Sequence, residues 1–167
     1  MLGLGQSISL YEENSYDLSI GVNDIWKIVK TDVVVCLNKP NEFIPDRLKW
    51  INDSRPEAFY SQAVIWDIRP DFRKIDFIPG YPDRFCKLDS PAYHKSFCSP
   101  FVACQVAYKE YHADEIHLFG VDLVDHPHLD KNICAKIKIH FENLNVALKA
   151  KGCILMVHGN GILTTLL

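Results

Sequence analysis

The run TDVVVCLN, Thr31 to Asn38, holds five apolar residues in succession, three of them valines. Strict alternation of apolar and polar residues marks a strand with one wet face, whereas an unbroken β-branched run marks a strand covered on both faces. Strands of that kind belong to parallel sheets, whose crossover connections lay helices over the sheet. The remainder of the chain reads outward from this strand.

Upstream, MLGLGQSISL, Met1 to Leu10, supplies a stub of strand before its glycines, and YDLSIG, Tyr16 to Gly21, a second short strand. DIWKIVK, Asp24 to Lys30, spaces Ile25, Trp26, Ile28 and Val29 to suit one or two helical turns on the sheet. Downstream, residues 41 to 52 read as a helix with Pro45 in its first turn, and AVIWDI, Ala63 to Ile68, as a fourth strand. Arg69 to Pro100 is proline-rich and lacks periodicity, apart from a short strand at Lys74 to Ile78. Its aromatics, among them Phe77, Tyr81, Tyr93 and Phe97, point to an ordered flap. SPFVACQVAYKEYHA, from Ser99, then starts a helix with proline at the first helical position, and EIHLFGVDL follows as a strand. The loop VDHPHLDKN leads to a helix from 132 to 151 that Gly152 stops, CILMV is the last strand and NGILTTLL a final short helix. The expected architecture is one Rossmann-like α/β domain over residues 1 to 167: a mostly parallel sheet, helices on both faces, and an irregular flap at 69 to 100.

The chain has 167 residues, 48% hydrophobic and 23% charged, with a net charge of −3. That balance excludes a broad electrostatic grip on nucleic acid or anionic lipid, so any bound anion needs a local site. Six cysteines occur without a CxxC pair, several inside apolar runs such as FVACQV, and read as reduced structural thiols of a cytoplasmic protein. No apolar stretch nears the roughly 20 residues that span a bilayer.

In parallel α/β sheets ligands collect beyond the carboxyl ends of the strands, which directs attention to five places. Gly3, Gly5, Gln6 and Ser7 form a GxGxS turn whose amides and hydroxyl suit a phosphate. The third glycine and the acidic residue of the dinucleotide fingerprint are missing, which disfavours NAD. Asn23 and Asp24 follow the second strand, with helix capping as the alternative role for Asn23. Ser99 opens a helix and either caps it or faces a phosphate. The loop Gly120 to His128 offers Asp122, Asp125, His126 and His128; a neutral histidine there is suited to take a proton from a sugar hydroxyl. The HPH of that loop with Cys134 is an alternative metal set, short of a third ligand at recognisable spacing. His158, Gly159, Asn160 and Gly161 close the last strand and open the final helix, another start of small residues with room for a ligand. His112, His117 and His140 fall within predicted elements and read as structural.

Taken together, GLGQSI, the strand ending GVNDIW, SPFVACQVAYKEYHADEIHLFGVDL and HGNGILTTLL resemble the bacterial sialyltransferases of the Campylobacter type. They also resemble the related MAF-like flagellin-glycosylation and hydroxymethylpterin-pyrophosphokinase-like proteins. The resemblance implies that Gly3, Gly5 and Ser7 wrap a phosphate and that Asn23 touches phosphate or sugar. It implies further that Ser99 lies beside the nucleotide sugar, Asp122 near the nucleotide, and Asn160 in the pocket wall, with His126 or His128 as general base. Those enzymes are longer, with a lid to which only the flap at 69 to 100 corresponds; their phosphate-assisting tyrosines have no clear counterpart, Tyr81 and Tyr93 being the candidates.

The expected function is therefore a glycosyltransferase-like protein that binds a nucleotide or a CMP-sugar-like nucleotide sugar and transfers the sugar without a metal cofactor. The alternatives are a non-catalytic nucleotide sensor or sponge, and a pyrophosphoryl transferase using Mg²⁺ on Asp122 and Asp125. Oligomeric state is open.

Overall fold

The computed structural model describes residues 1–123 and 129–166. Its strands are β1 (Ile20–Val22), β2 (Val33–Val35), β3 (Ala58–Ser61), β4 (Phe72–Lys74), β5 (Glu115–Leu118) and β6 (Ile154–Val157). Its α-helices are α1 (Pro45–Asp53), α2 (Ser99–Tyr111) and α3 (Lys131–Lys149). The strands β1-β2-β3-β4 form one parallel sheet in that order, and β5-β6 a parallel pair.

Leu2 joins the two. It bridges Gly21 on one side and Phe119 on the other, both in parallel. The Leu2 N–H donates to the Ile20 carbonyl at 2.7 Å and the Gly3 N–H to the Phe119 carbonyl at 2.7 Å. Strand order thus runs outward through β1 to β4 on one side of the amino-terminal stub and through β5 and β6 on the other. The reversal falls at residues 1–3, between the first segment of the chain and β5.

The valines of β2 are wholly buried and divide between two cores, as period-2 geometry requires. Val33 and Val35 join Ile20, Val22, Tyr60, Ile116 and Leu118 beneath α2 and α3. Val34 joins Leu2, Phe59 and Phe119 on the opposite face, where Ile51 of α1 and Ile25 pack. The parallel sheet covered on both faces, expected from TDVVVCLN, is present.

Local boundaries differ from expectation, and three of the differences have a plain cause. Ala63 to Ile68 is not a strand. The third strand is AFYS, Ala58–Ser61, and Val64–Trp66 forms a 3₁₀ turn after it. The Ser61 hydroxyl accepts the Ala63 N–H at 3.0 Å and turns the chain, burying Ala63 and Trp66 while Val64, Ile65 and Ile68 stand 59%, 61% and 88% exposed. The short flap strand expected at 74 to 78 lies at Phe72–Lys74, because β3 holds it through Phe59–Phe72 pairing. The first turn of residues 41 to 52 is a separate 3₁₀ turn, Pro40–Glu42, since proline at 45 starts α1 afresh.

The flap is ordered and bound to the helices by buried polar side chains. Gln105 of α2 clasps the His94 backbone twice, accepting its N–H at 2.9 Å and donating to its carbonyl at 2.8 Å. His140 of α3, wholly buried, is bonded to Ser96 at 2.8 Å and to Asp83 at 3.0 Å, and Asn143 donates to the Pro82 carbonyl at 2.8 Å. Tyr93 bonds Glu110, and Lys109 donates to the Ala92 carbonyl at 2.7 Å.

Candidate functional site

All strands run parallel, so their carboxyl ends share one edge, and at that edge three loops converge on Asp122. Ser7 supplies two donors to its carboxylate: the hydroxyl reaches Oδ1 at 2.5 Å and the main-chain N–H reaches Oδ2 at 2.9 Å. The same Ser7 hydroxyl accepts the Gly120 N–H at 2.8 Å. One serine therefore ties the amino-terminal turn to the end of β5.

Glycines make the convergence sterically possible. A Cβ on Gly3 would lie 2.3 Å from the Gly120 carbonyl oxygen, and one on Gly5 would lie 2.5 Å from Asp122 Oδ2. From the β6 side, a Cβ on Gly159 would meet the Ser7 Cβ at 2.3 Å, and one on Gly161 the Asp122 carbonyl oxygen at 2.4 Å. Gly120 and Gly159 also adopt φ values of +67° and +96°, where a side chain is strained.

The structure brings Gly3, Gly5, Ser7, Asp122 and Gly159 into mutual contact, but spends their amides internally. The Gly3 N–H goes to Phe119, the Gly5 N–H to the Gly120 carbonyl at 2.8 Å, and the Ser7 N–H to Asp122. The anion that Ser7 holds is the chain's own Asp122 carboxylate, while the two glycine amides are taken by main-chain carbonyls. Gln6 and Asn160 are exposed beside this knot. Ser99 is buried as the first residue of α2, one position later than a cap; Cys98 is the N-cap.

Asn23 and Asp24 separate into two roles. Asp24 is 4% exposed, and Arg47 of α1 grips its Oδ1 through Nε at 2.9 Å and Nη2 at 2.5 Å, so this carboxylate fastens α1 to the sheet end. That pairing holds the Arg47 guanidinium above its ordinary pKa. Asn23 takes a left-handed backbone with φ 52°, and its N–H donates to Val35 at 3.1 Å. Its Oδ1 is buried with no hydrogen-bond partner, as is the indole N–H of Trp26 one turn on. A buried polar atom left unpaired costs about 1–3 kcal/mol. Two of them, an acceptor and a donor, lie just past the end of β1, the strand beside the Leu2 stub.

A histidine pair escaped the sequence reading. His117 of β5 and His158, which follows β6, place Nδ1 and Nε2 2.9 Å apart. His158 stacks on Phe119 with centroids 4.2 Å apart, and Tyr16 packs on His117 at 4.8 Å. The period-2 spacing of His117 and Phe119 was the available signal, because it puts both on one face of the sheet. Burial first, then the neighbouring His117, pushes the His158 pKa below its ordinary value.

Asp125, His126 and His128 lie outside the described residues. Among the described residues no group of three or more His, Cys, Asp or Glu side chains is placed to hold a metal ion. The six cysteines are free, and burial pushes the Cys36, Cys86 and Cys98 thiols up to about 12. No described helix is long and apolar enough to cross a membrane. At the opposite, amino end of β5 and β6 a groove of about 530 Å³ opens between Pro91, Lys109, His112, Asp114 and Gly152. Comparison with protein families, with curated proteins and with solved structures finds no match to this chain.

Proposed function

We propose that this chain is a Rossmann-like protein that binds a nucleotide or nucleotide sugar in the crevice at the carboxyl edge of the sheet, beside the strand-order reversal. The observation that carries the reading is the unpartnered pair at Asn23 and Trp26. A carboxamide oxygen and an indole N–H, both buried and without a hydrogen-bond partner, suit a ligand with both donors and acceptors, as a nucleobase, ribose or phosphate has. Their position agrees with the rule that open parallel sheets bind ligands where strand order reverses.

In this reading Gly3 and Gly5 act by allowing close approach, and Asp122 and Ser7 hold the crevice wall in place. Asn23, Ser99, Gln6, Gly159 and Asn160 are left to the ligand. Transfer of the sugar without a metal, with a histidine as base, extends this reading along the resemblance to the sialyltransferases. One observation favours binding without turnover as the second reading. Every described polar contact that holds the flap's 81–96 stretch runs to α2, α3, Lys151 just beyond α3, or the flap itself, and none runs to the carboxyl-edge loops that a lid would cover. The Mg²⁺-dependent reading is weakened because both Asp122 oxygens already accept from Ser7.

Calorimetry with CMP, UMP, AMP and GMP and their sugar conjugates, with and without Mg²⁺, tests the proposal. It expects metal-independent binding of at least one nucleotide and loss of that binding in Asn23→Ala. Retention of full affinity in Asn23→Ala contradicts it.

A further inference from the structure

We propose that this chain pairs with a second copy of itself along the open edge of β6, the two strands running antiparallel with Met156 on the twofold axis. The inference is independent of the nucleotide reading, since it concerns the strand at the far end of the sheet.

Period-2 geometry sorts the residues of β5 and β6 onto two faces. Ile116, Leu118 and Leu155 point into the core beneath α2 and α3. Glu115, His117, Ile154 and Met156 therefore point the other way. Among the described residues, the core on that second face takes in no side chain of β5 or β6 and stops at Phe119. Ile154 is left 48% exposed there, and the Glu115 side chain 55%. Parallel strands are nearly always covered on both faces, so this end of the sheet lacks a layer that β2 and β3 possess.

The edge itself is open as well. β6 ends the strand order. The Ile154 and His158 N–H groups donate to the Asp114 and Leu118 carbonyls at 2.7 and 2.9 Å, so the main chain of residues 154, 156 and 158 faces β5. The N–H and C=O groups of Leu155 and Val157 accordingly point outward, with no described strand beside them. Open edges are normally guarded by charges or proline. The other edge of the sheet obeys this, because β4 carries Arg73 and Lys74, both exposed. β6 does not: it reads ILMV, and from Gly152 to Leu167 the chain has no Asp, Glu, Lys, Arg or Pro.

A second copy is the occupant that this edge fits. With the axis at Met156, Leu155 of each copy lies opposite Val157 of the other. Those are the residues whose groups point outward, so each of the two pairs exchanges an N–H and a C=O. Met156 meets Met156, and Ile154 meets His158 of the second copy, on the face that lacks a layer. Because the strip holds no acidic or basic side chain, doubling it brings no like charges together, whereas doubling β4 would oppose Arg73 and Lys74. Five residues a side span about 17 Å. An interface of that length sits at or below the lower end of the range for specific complexes, about 1,200 Å² in total, which points to association at micromolar concentrations.

Sedimentation equilibrium of the full chain up to about 200 µM tests the proposal. The mass should climb from 19.1 kDa toward twice that value. Met156→Lys places two ammonium groups at the axis and should raise the dissociation constant by on the order of 10-fold or more, with the circular dichroism of the fold retained. Met156→Cys gives a reading that does not rely on that variant folding. Its thiols face each other across a non-hydrogen-bonded pair, so oxidised glutathione should yield a covalent dimer that dithiothreitol splits, and Lys74→Cys should yield none. A mass that stays at 19.1 kDa throughout overturns the pairing. An unaltered dissociation constant in folded Met156→Lys, or cross-linking in Lys74→Cys but not in Met156→Cys, overturns its placement on β6.

Discussion

Gly5 isolates the physics of the site in one position. Its φ of −76° and ψ of 174° are open to any residue, so alanine there probes close approach and nothing else. The added Cβ lands on Asp122 Oδ2 and the Gly120 carbonyl oxygen, and the backbone cannot yield cheaply. Gly5→Ala should cost about 1–3 kcal/mol in urea unfolding; a change below a few tenths would mean that the three loops do not pack as described. Arg47→Ala is the complementary case. It strips a nearly buried Asp24 of its partner, and an orphaned buried charge of this kind costs about 3 kcal/mol. Pairing with Asp24→Asn should recover part of that loss, since the neutral amide needs no counter-charge. Additive losses in the double variant would show that the two side chains do not interact.

Among the elements, the flap carries the clearest dependence on pH. His94 accepts the Lys87 N–H on Nε2 at 2.8 Å, and burial, followed by the Lys109 and Lys87 charges, lowers its pKa from the ordinary 6.5. A folded-state pKa below the unfolded one adds stability that is whole above 6.5 and fades as pH falls beneath it. Exchange of the Lys87 amide with solvent should therefore quicken below pH 6.5 before the core amides of β2 respond. Simultaneous exchange of both would contradict a separate hold on the flap. The thiols set the alkaline side. Cys36 is raised from 9.0 to about 12, so its share of stability is present below pH 9 and lost above it, and thiol reagents should leave Cys36 untouched at pH 7 without denaturant. Legibility of the elements tracked the local code. The β2 run, α2 and α3 were plain because burial pattern and helix stops agreed. β3 was missed because AFYS is only four residues long and follows Pro56, while AVIWDI, richer in β-branched residues, is turned by a serine hydroxyl that propensity does not register.

At the scale of the molecule, the fold brings residues 3–7, 120–122 and 158–161 together although they lie far apart in the sequence. The sequence marked these stretches by their glycines, since small residues after strands are where backbones meet. What it did not disclose is that Asp122 occupies the anion position of the amino-terminal turn, because a bond between residues 7 and 122 has no local signature. Nor did it disclose the His117–His158 pair, which depends on β5 and β6 lying in register. The site is accordingly a pre-formed knot with an unsatisfied margin at Asn23 and Trp26, not an empty phosphate cradle. The most direct measurement is an amide ¹H–¹⁵N titration of the full chain with CMP and with its competitors UMP, AMP and GMP. Shifts concentrated at Asn23, Trp26, Gly3 to Ser7, Asp122 and His158 to Asn160 are the predicted result. Shifts confined to the groove around His112 and Gly152, or none with any nucleotide, would contradict it.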